Sequence, residues 1–247
     1  LFCLLVAFIF WVATMGDKAK KGPDQGLPSA DSAKIPGGVS PAIADAKLDL
    51  VSGSSGNVSM RMPNNNSGYM AITPMGLHYS ELQDQNIVVV DEELDCIEDS
   101  GVPSSESLLH LGIYQTRSDI NAVVHTHSTF SSVAALSPDG IPPILDEMVI
   151  YIGGSIEVSN YAFPGSEDLA KNVCKALGDK NAALISNHGA VAVGTNLREA
   201  LNVSILMERI AKIYCYSRVS NQINPLPASA IEKERAIFEM KRKSNNQ

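Results

Sequence analysis

Hydrophobic and polar positions along the chain change their rhythm several times, and each change marks an element. Between residues 48 and 62 a glycine and serine loop runs into an alternating stretch, Val58, Met60, Met62, which predicts a turn followed by a strand. Two more short strands are expected at YMAITP (69–74) and NIVVVDEE (86–93), with turn residues between them. Residues 103–117 switch to helical spacing, with Leu108, Leu109, Gly112 and Ile113 on one side, and NAVVHTHS (121–128) is the next strand. Residues 166–178 predict a helix: Ser166 suits the N-cap, acids fill the first turn, Leu169, Val173 and Leu177 form a stripe, and Gly178 stops it. NAALISNHGAVAVG (181–194) reads as two buried strands around the polar insert SNHG. A long helix follows from Leu197 to about Ser217, with Ala200, Val203, Met207, Ile210 and Tyr214 on one face. After Pro225 and Pro227 a polar helix, roughly residues 229–243, closes the chain. Strands interrupted by helices of this length predict an α/β fold in which helices cover a sheet.

Composition narrows the picture. A chain of 247 residues suits one ordinary domain with a sizeable core. The formal charge of −8 and pI of about 5.1 give no electrostatic footprint for nucleic acid. The basic runs at 18–21 and 241–243 read as solvated tails. Four scattered cysteines, Cys3, Cys96, Cys174 and Cys215, form no C-x-x-C pair, which fits a reducing, cytoplasmic setting. Residues 1–15 are apolar throughout, yet shorter than the ~20 residues a membrane span needs and without a preceding basic region. No stable membrane span is expected, and a wrongly started reading frame, with Met15 as the alternative start, is preferred over a secretory signal. Residues 16–42 lack periodicity and read as a linker. The expected organisation is therefore an N-terminal segment and linker (1–47), one domain (48–222) and a tail helix (223–247).

Chemistry enters with the histidines. In an extended chain the side-chain period is two, so His125 and His127 share a face and are able to share a metal. An isolated pair is read equally well as two hydrogen-bonded core histidines. His188 stands between two apolar segments, where a polar side chain is costly unless bonded or ligated. Together the three make a three-nitrogen site with an open fourth position, the arrangement of a catalytic zinc.

Five motifs then appear in order: GSSGNVS (53–59), ITPMG (72–76), PSSES (103–107), AVVHTHS (122–128) and NHGAV (187–191). On these the sequence resembles the class II aldolase/adducin family, most closely the L-fuculose-1-phosphate aldolase type, over residues 48–217. The resemblance implies a three-layer αβα sandwich with a largely antiparallel central sheet flanked by helices. It implies one Zn2+ per subunit held by His125, His127 and His188, with Glu106 as the acid/base beside it. In retro-aldol cleavage of a phosphorylated ketose a base removes the C4 hydroxyl proton and the C3–C4 bond breaks. Charge then develops on the dihydroxyacetone phosphate half, where a Lewis acid stabilises it. Burial that raises the Glu106 pKa toward neutrality would suit proton transfer. The resemblance places Gly56, Asn57, Gly76, Ser104 and Ser105 around the phosphate, and a helix N-terminus after the two serines would attract the anion. It also implies a homotetramer.

The chain departs from its relatives in three places. Met75 stands where a threonine is common, the C-terminal tail has no tyrosine, and Glu147 occupies the neighbourhood of a tyrosine that handles the second proton transfer in fuculose aldolases. Glu147 is therefore the candidate for that role. His110, at i+4 from Glu106, is expected to pack or to support it rather than to ligate. Family members with the same triad are also 4-epimerases, dehydratases and decarboxylases, and the adducin-like members are non-enzymatic interaction modules, so all of these stay open at this stage.

Overall fold

The computed structural model describes residues 50–51, 54–62, 70–79, 81–97 and 101–244. The expectations for the apolar segment, the linker and the first domain boundary lie outside the described residues.

The segments with strand patterning pair into one sheet. It comprises β1 (Asn57–Arg61), β2 (Met70–Ile72), β3 (Val88–Val90), β4 (Ala122–Thr126), β5 (Ala182–Ile185) and β6 (Gly189–Gly194). The order is β3-β2-β1-β4-β6-β5, and every neighbouring pair is antiparallel. Around it lie α1 (Ser107–Thr116), α2 (Thr129–Ala134), α3 (Glu167–Leu177), α4 (Leu197–Val219) and α5 (Ala228–Ser244), with a π-helical turn at Met148–Ile152.

Alternating side chains of the central strands divide between two helical layers. Val123 of β4 and Val191 and Val193 of β6 pack with Leu109 and Ile113 of α1 and with Leu169, Val173 and Leu177 of α3. On the other face Ala122 and Val124 meet Leu197, Ala200 and Leu201 of α4, while Ala190 and Ala192 meet Val203, Met207 and Ile210 farther along the same helix. β4 and β6 are buried at every position, which is why residues 122–124 and β6 read as apolar runs instead of alternating ones. Each of these buried Leu, Ile or Val side chains contributes roughly 1.5–3 kcal/mol, so the two packed faces hold the sandwich together. The expected three-layer αβα architecture is the one observed.

Local signals set the helix ends. Ser166 accepts a hydrogen bond from Leu169 N at 3.1 Å and starts α3. Asn196 accepts from Glu199 N at 3.0 Å while Glu199 Oε2 accepts from Thr195 N at 2.8 Å, a reciprocal cap that starts α4. The helix expected over 103–117 begins only at Ser107. Residues 102–104 instead bond to the loop after β2, through Met75 N to Val102 O at 3.0 Å and Ser104 N to Thr73 O at 3.2 Å. Extended backbone satisfied in this way is lost to the helix, and Val102 precedes a proline, which disfavours helical geometry. The tail helix α5 packs on the rest of the fold: Phe238 is buried against Gly153 at the end of the π turn, and Arg235 bonds the Gly153 carbonyl.

Candidate metal centre and active site

β4 delivers two histidines to one end of the sheet. His125 is fully buried and pairs with Asn57 of β1 on one side and Val191 of β6 on the other. Its Nδ1 lies 2.9 Å from the Ala190 carbonyl oxygen, which can only accept, so Nδ1 carries the hydrogen and Nε2 faces the opposite way. There it meets His127 Nε2 at 3.0 Å and Glu106 Oε2 at 3.0 Å. His127 lies just past the end of β4, where the chain turns into α2. That turn is held by Glu208 of α4, whose carboxylate accepts Phe130 N and Ser131 N at 2.8 Å each and the Ser131 hydroxyl at 2.7 Å.

The third histidine comes from the β5–β6 hairpin. Ile185 pairs with Gly189, and the loop between them turns through Asn187 at φ +56°, a left-handed position that asparagine tolerates better than most residues. A β-carbon on Gly189 would lie 2.2 Å from Thr126 O and 3.3 Å from His127 Cδ2, so only glycine lets the hairpin close on the end of β4. His188 then stacks edge-on to the other two, and the three ring centroids are 4.7 to 4.9 Å apart. Gly56, at φ +76°, permits a similar approach from the β1 side, where a β-carbon would stand 2.6 Å from His125 O.

Glu106 completes the group. It occupies the N-cap position of α1, yet its side chain makes no capping bond and turns to the histidines instead. Asn57 Nδ2 donates to Oε2 at 3.1 Å, while Oε1, buried and without a hydrogen-bond partner, stands 3.4 Å from His188 Nε2. Burial pushes the Glu106 pKa up. The hydrogen bond from His125, the charges of the His125 and His188 rings and the Asn57 amide together outweigh it and bring the carboxyl down to about 2. The expectation of a raised pKa is thus reversed. Burial and its histidine neighbours lower His127 to about 4, and burial with the charge of His125 lowers His188.

These shifts leave the Glu106 carboxylate ionised and the His127 and His188 imidazoles unprotonated at neutral pH. One ligand atom from each of Glu106, His125, His127 and His188 lies within 4.8 Å of the others. Lone pairs crowded this closely repel, and an orphaned buried oxygen among them costs roughly 1–3 kcal/mol. A divalent cation removes both penalties, and three imidazole nitrogens with one carboxylate oxygen suit zinc. The residues present therefore fit the metal that the sequence motifs imply.

The five expected phosphate residues lie at this same end of the sheet, in the loops before β1, after β2 and before α1 and, for Asn57, at the start of β1. Thr73 Oγ1 accepts from Val58 N at 3.2 Å, joining the Gly56 loop to the loop carrying Gly76, and Pro74 forms a bridge with Pro103 ahead of the two serines. Gly76 has φ +73° in an exposed turn; Ser104 is buried, with its hydroxyl 3.3 Å from Glu106 N; Ser105 is exposed. Asn57 is the departure: its carbonyl is taken by His110 and one N–H by Glu106, which leaves only the second N–H for a ligand. Glu147 is not brought to the cluster. It precedes the π turn, pairs with Arg209 of α4, and lines a separate cavity with Tyr151 and Lys241. Sequence reasoning missed Glu208, because nothing local connects it to Phe130, 78 residues away. It also underused His110, for which the four-residue spacing from Glu106 was the available signal.

Comparison with known proteins agrees with this geometry. The model of the Class II Aldolase and Adducin N-terminal domain matches residues 43–215. The 5-deoxy-D-ribulose 1-phosphate aldolase of Bacillus thuringiensis is 32% identical over 190 residues, 77% of this chain and 88% of the relative. The L-fuculose phosphate aldolase of Escherichia coli is 33% identical over 193 residues, 78% of this chain and 86% of the relative. A solved L-fuculose 1-phosphate aldolase superposes with a TM-score of 0.73 at 35% identity, covering 78% of this chain and 90% of that one. Likeness on this scale, in sequence and in fold together, makes the chain a member of the class II aldolase and adducin N-terminal domain family.

Proposed function

We propose that this protein is a zinc-dependent aldolase that cleaves a phosphorylated ketose, such as L-fuculose 1-phosphate, into dihydroxyacetone phosphate and an aldehyde. The observation that carries the reading is the convergence of three histidines on the Glu106 carboxylate in a chain whose relatives are named sugar-phosphate aldolases. In this reading His125, His127 and His188 hold one Zn2+ per subunit, which when bound supplies Lewis-acid stabilisation of the charge developing on the ketose. Glu106 accepts the C4 hydroxyl proton at Oε1, the atom that no protein donor engages, while the Asn57 amide steadies Oε2. Ser105, the Gly56 and Gly76 turns and the start of α1, which no side chain caps, receive the phosphate. Ser104 contributes from a buried position and Asn57 through its remaining N–H.

Glu147 serves the second proton transfer only across a subunit boundary, in the homotetramer that belongs to this reading. A monomer in size-exclusion chromatography with light scattering would remove that role. Among the described residues no helix is long and apolar enough to cross a membrane, and Cys96, Cys174 and Cys215 are free, which supports a cytoplasmic placement.

The test is incubation of the purified protein with L-fuculose 1-phosphate, 5-deoxyribulose 1-phosphate, methylthioribulose 1-phosphate and ribulose 5-phosphate, with products identified by mass spectrometry and metal by elemental analysis. Stoichiometric zinc and release of dihydroxyacetone phosphate are expected. Isomerised, dehydrated or decarboxylated product without cleavage would transfer the site to another reaction of the same family. No turnover and no metal would leave an adducin-like interaction module.

A further inference from the structure

Behind Glu106 lies a run of buried polar groups that the proposed mechanism does not use. His110 of α1 is fully buried; its Nε2 lies 2.5 Å from Asn57 Oδ1 and its Nδ1 lies 2.6 Å from Ser59 Oγ. Ser59 Oγ is in turn 2.8 Å from the hydroxyl of Tyr114, one helical turn beyond His110. Asn57 and Ser59 are alternate residues of β1, so both point to the α1 face.

The chemistry of the end group decides the direction of every bond. Glu106 is a carboxylate and only accepts, so Asn57 presents Nδ2 to it and Oδ1 to His110. Oδ1 only accepts, so His110 Nε2 carries the ring hydrogen. Burial holds this imidazole far below its usual value, at about 3, and a neutral ring has one N–H. Nδ1 is therefore a lone pair, filled by the Ser59 hydroxyl hydrogen, and the Ser59 oxygen accepts from Tyr114 O–H. Four donors in series point toward Glu106, and no member is able to turn round alone without setting two acceptors or two donors face to face.

We propose that His110, backed by Ser59 and Tyr114, is a positioning residue: it locks the Asn57 amide with N–H on Glu106 Oε2 and so aims Oε1 at the substrate proton. Without the His110 donor, Asn57 Oδ1 is buried without a partner and the amide is held by its bond to Oε2 alone, so it loses the second anchor that fixes its plane and the carboxylate it steadies. The kinetic part of this proposal rests on the aldolase reading, and the spectroscopic part does not.

Two variants of nearly equal volume separate positioning from packing. His110→Leu removes the donor, whereas His110→Gln places an amide N–H where the ring Nε2–H stands. With the best substrate found for the wild-type protein, His110→Leu is expected to lower kcat by about 10- to 100-fold with KM and zinc content unchanged. His110→Gln is expected to recover most of that loss. Equal kcat in His110→Leu and wild type, or a Gln variant as slow as the Leu variant at the same melting temperature, overturns the proposal. If His110→Leu does not fold, Tyr114→Phe replaces it: loss of the last O–H is expected to reduce kcat by about threefold at constant KM, and no change overturns the relay. Independently of activity, 15N NMR of the metal-free wild-type protein is expected to show His110 as the neutral Nε2–H tautomer; an Nδ1–H ring overturns the bond directions. A wild-type protein that turns over no sugar phosphate refutes the aldolase reading, and the tautomer measurement still decides the relay.

Discussion

Replacing Gly189 by alanine tests how tightly the proposed metal centre depends on the sheet. Gly189 has no positive φ, so alanine meets no conformational penalty there, and the whole effect comes from space. The new methyl would stand 2.2 Å from Thr126 O, whereas ordinary contact begins near 3.4 Å, so β4 and β6 must separate by about 1 Å at this end. The same movement stretches the 2.9 Å bond between His125 Nδ1 and Ala190 O past the hydrogen-bonding range and frees the ring to rotate. Overpacking of this kind costs about 1–3 kcal/mol and the lost bond about 1 kcal/mol more, giving roughly 2–4 kcal/mol of lost stability. Because the broken bond orients an imidazole of the proposed metal site, zinc affinity is expected to fall about 10- to 100-fold. Urea unfolding measures the first effect and chelator-competition titration the second. Gly194→Ala is the control: at the far end of β6 its methyl would lie 2.6 Å from Ala200 N, so it should destabilise comparably without weakening zinc binding. Wild-type zinc affinity in Gly189→Ala, or equal losses of affinity in both variants, would refute the reasoning.

Other consequences are open to direct measurement. Glu106→Gln should retain zinc on elemental analysis, since three imidazoles remain, and lose about 10²- to 10⁴-fold in kcat; near-normal turnover would reject Glu106 as the acid/base. Exhaustive chelation should abolish activity and lower the melting temperature, with both restored by Zn2+. His110 has a folded pKa of about 3, below the ordinary 6.5, so the unfolded chain takes up a proton that the folded one refuses. Its contribution to stability is therefore lost as pH falls from about 6.5 toward 3, at about 1.4 kcal/mol per pH unit. Unfolding of His110→Gln should lack that slope, and parallel pH–stability curves for the variant and wild type would contradict it. Phe238→Ala, which empties a buried site beneath the tail helix, should cost about 3–5 kcal/mol in urea unfolding; a change under 1 kcal/mol would mean that α5 is not anchored there.

Some elements were plain from the chain because their causes are local. α3 begins at the serine that caps it and ends at the glycine that stops it, and the SNHG insert is the β-hairpin turn that its polar residues suggested. α1 starts later than its periodicity predicts because the backbone of 102–104 is claimed by the loop after β2, a partner some 30 residues away in sequence. α2 was not foreseen, since its six residues carry too little periodicity and its first N–H groups are held by Glu208 from a distant helix. Of the chemistry, the histidines announced themselves through the two-residue spacing and through a polar residue set between apolar strands. Asn57 is expected at the phosphate, but its commitment to Glu106 and His110 is not legible in the chain, because it exists only once β1 lies beneath α1.

The order of residues alone determined which side chains carry the chemistry, the period of each element and the family to which those motifs belong, since all of these follow from neighbours along the chain. Only the folded sheet decided how they act. It turned Nδ1 of His125 to a carbonyl, left Oε1 of Glu106 without a donor, set the direction of the bonds behind it, and kept Glu147 outside the cluster. Hydrogen bonds and desolvation act through space over a few ångströms, and only packing brings residues dozens of positions apart within that reach.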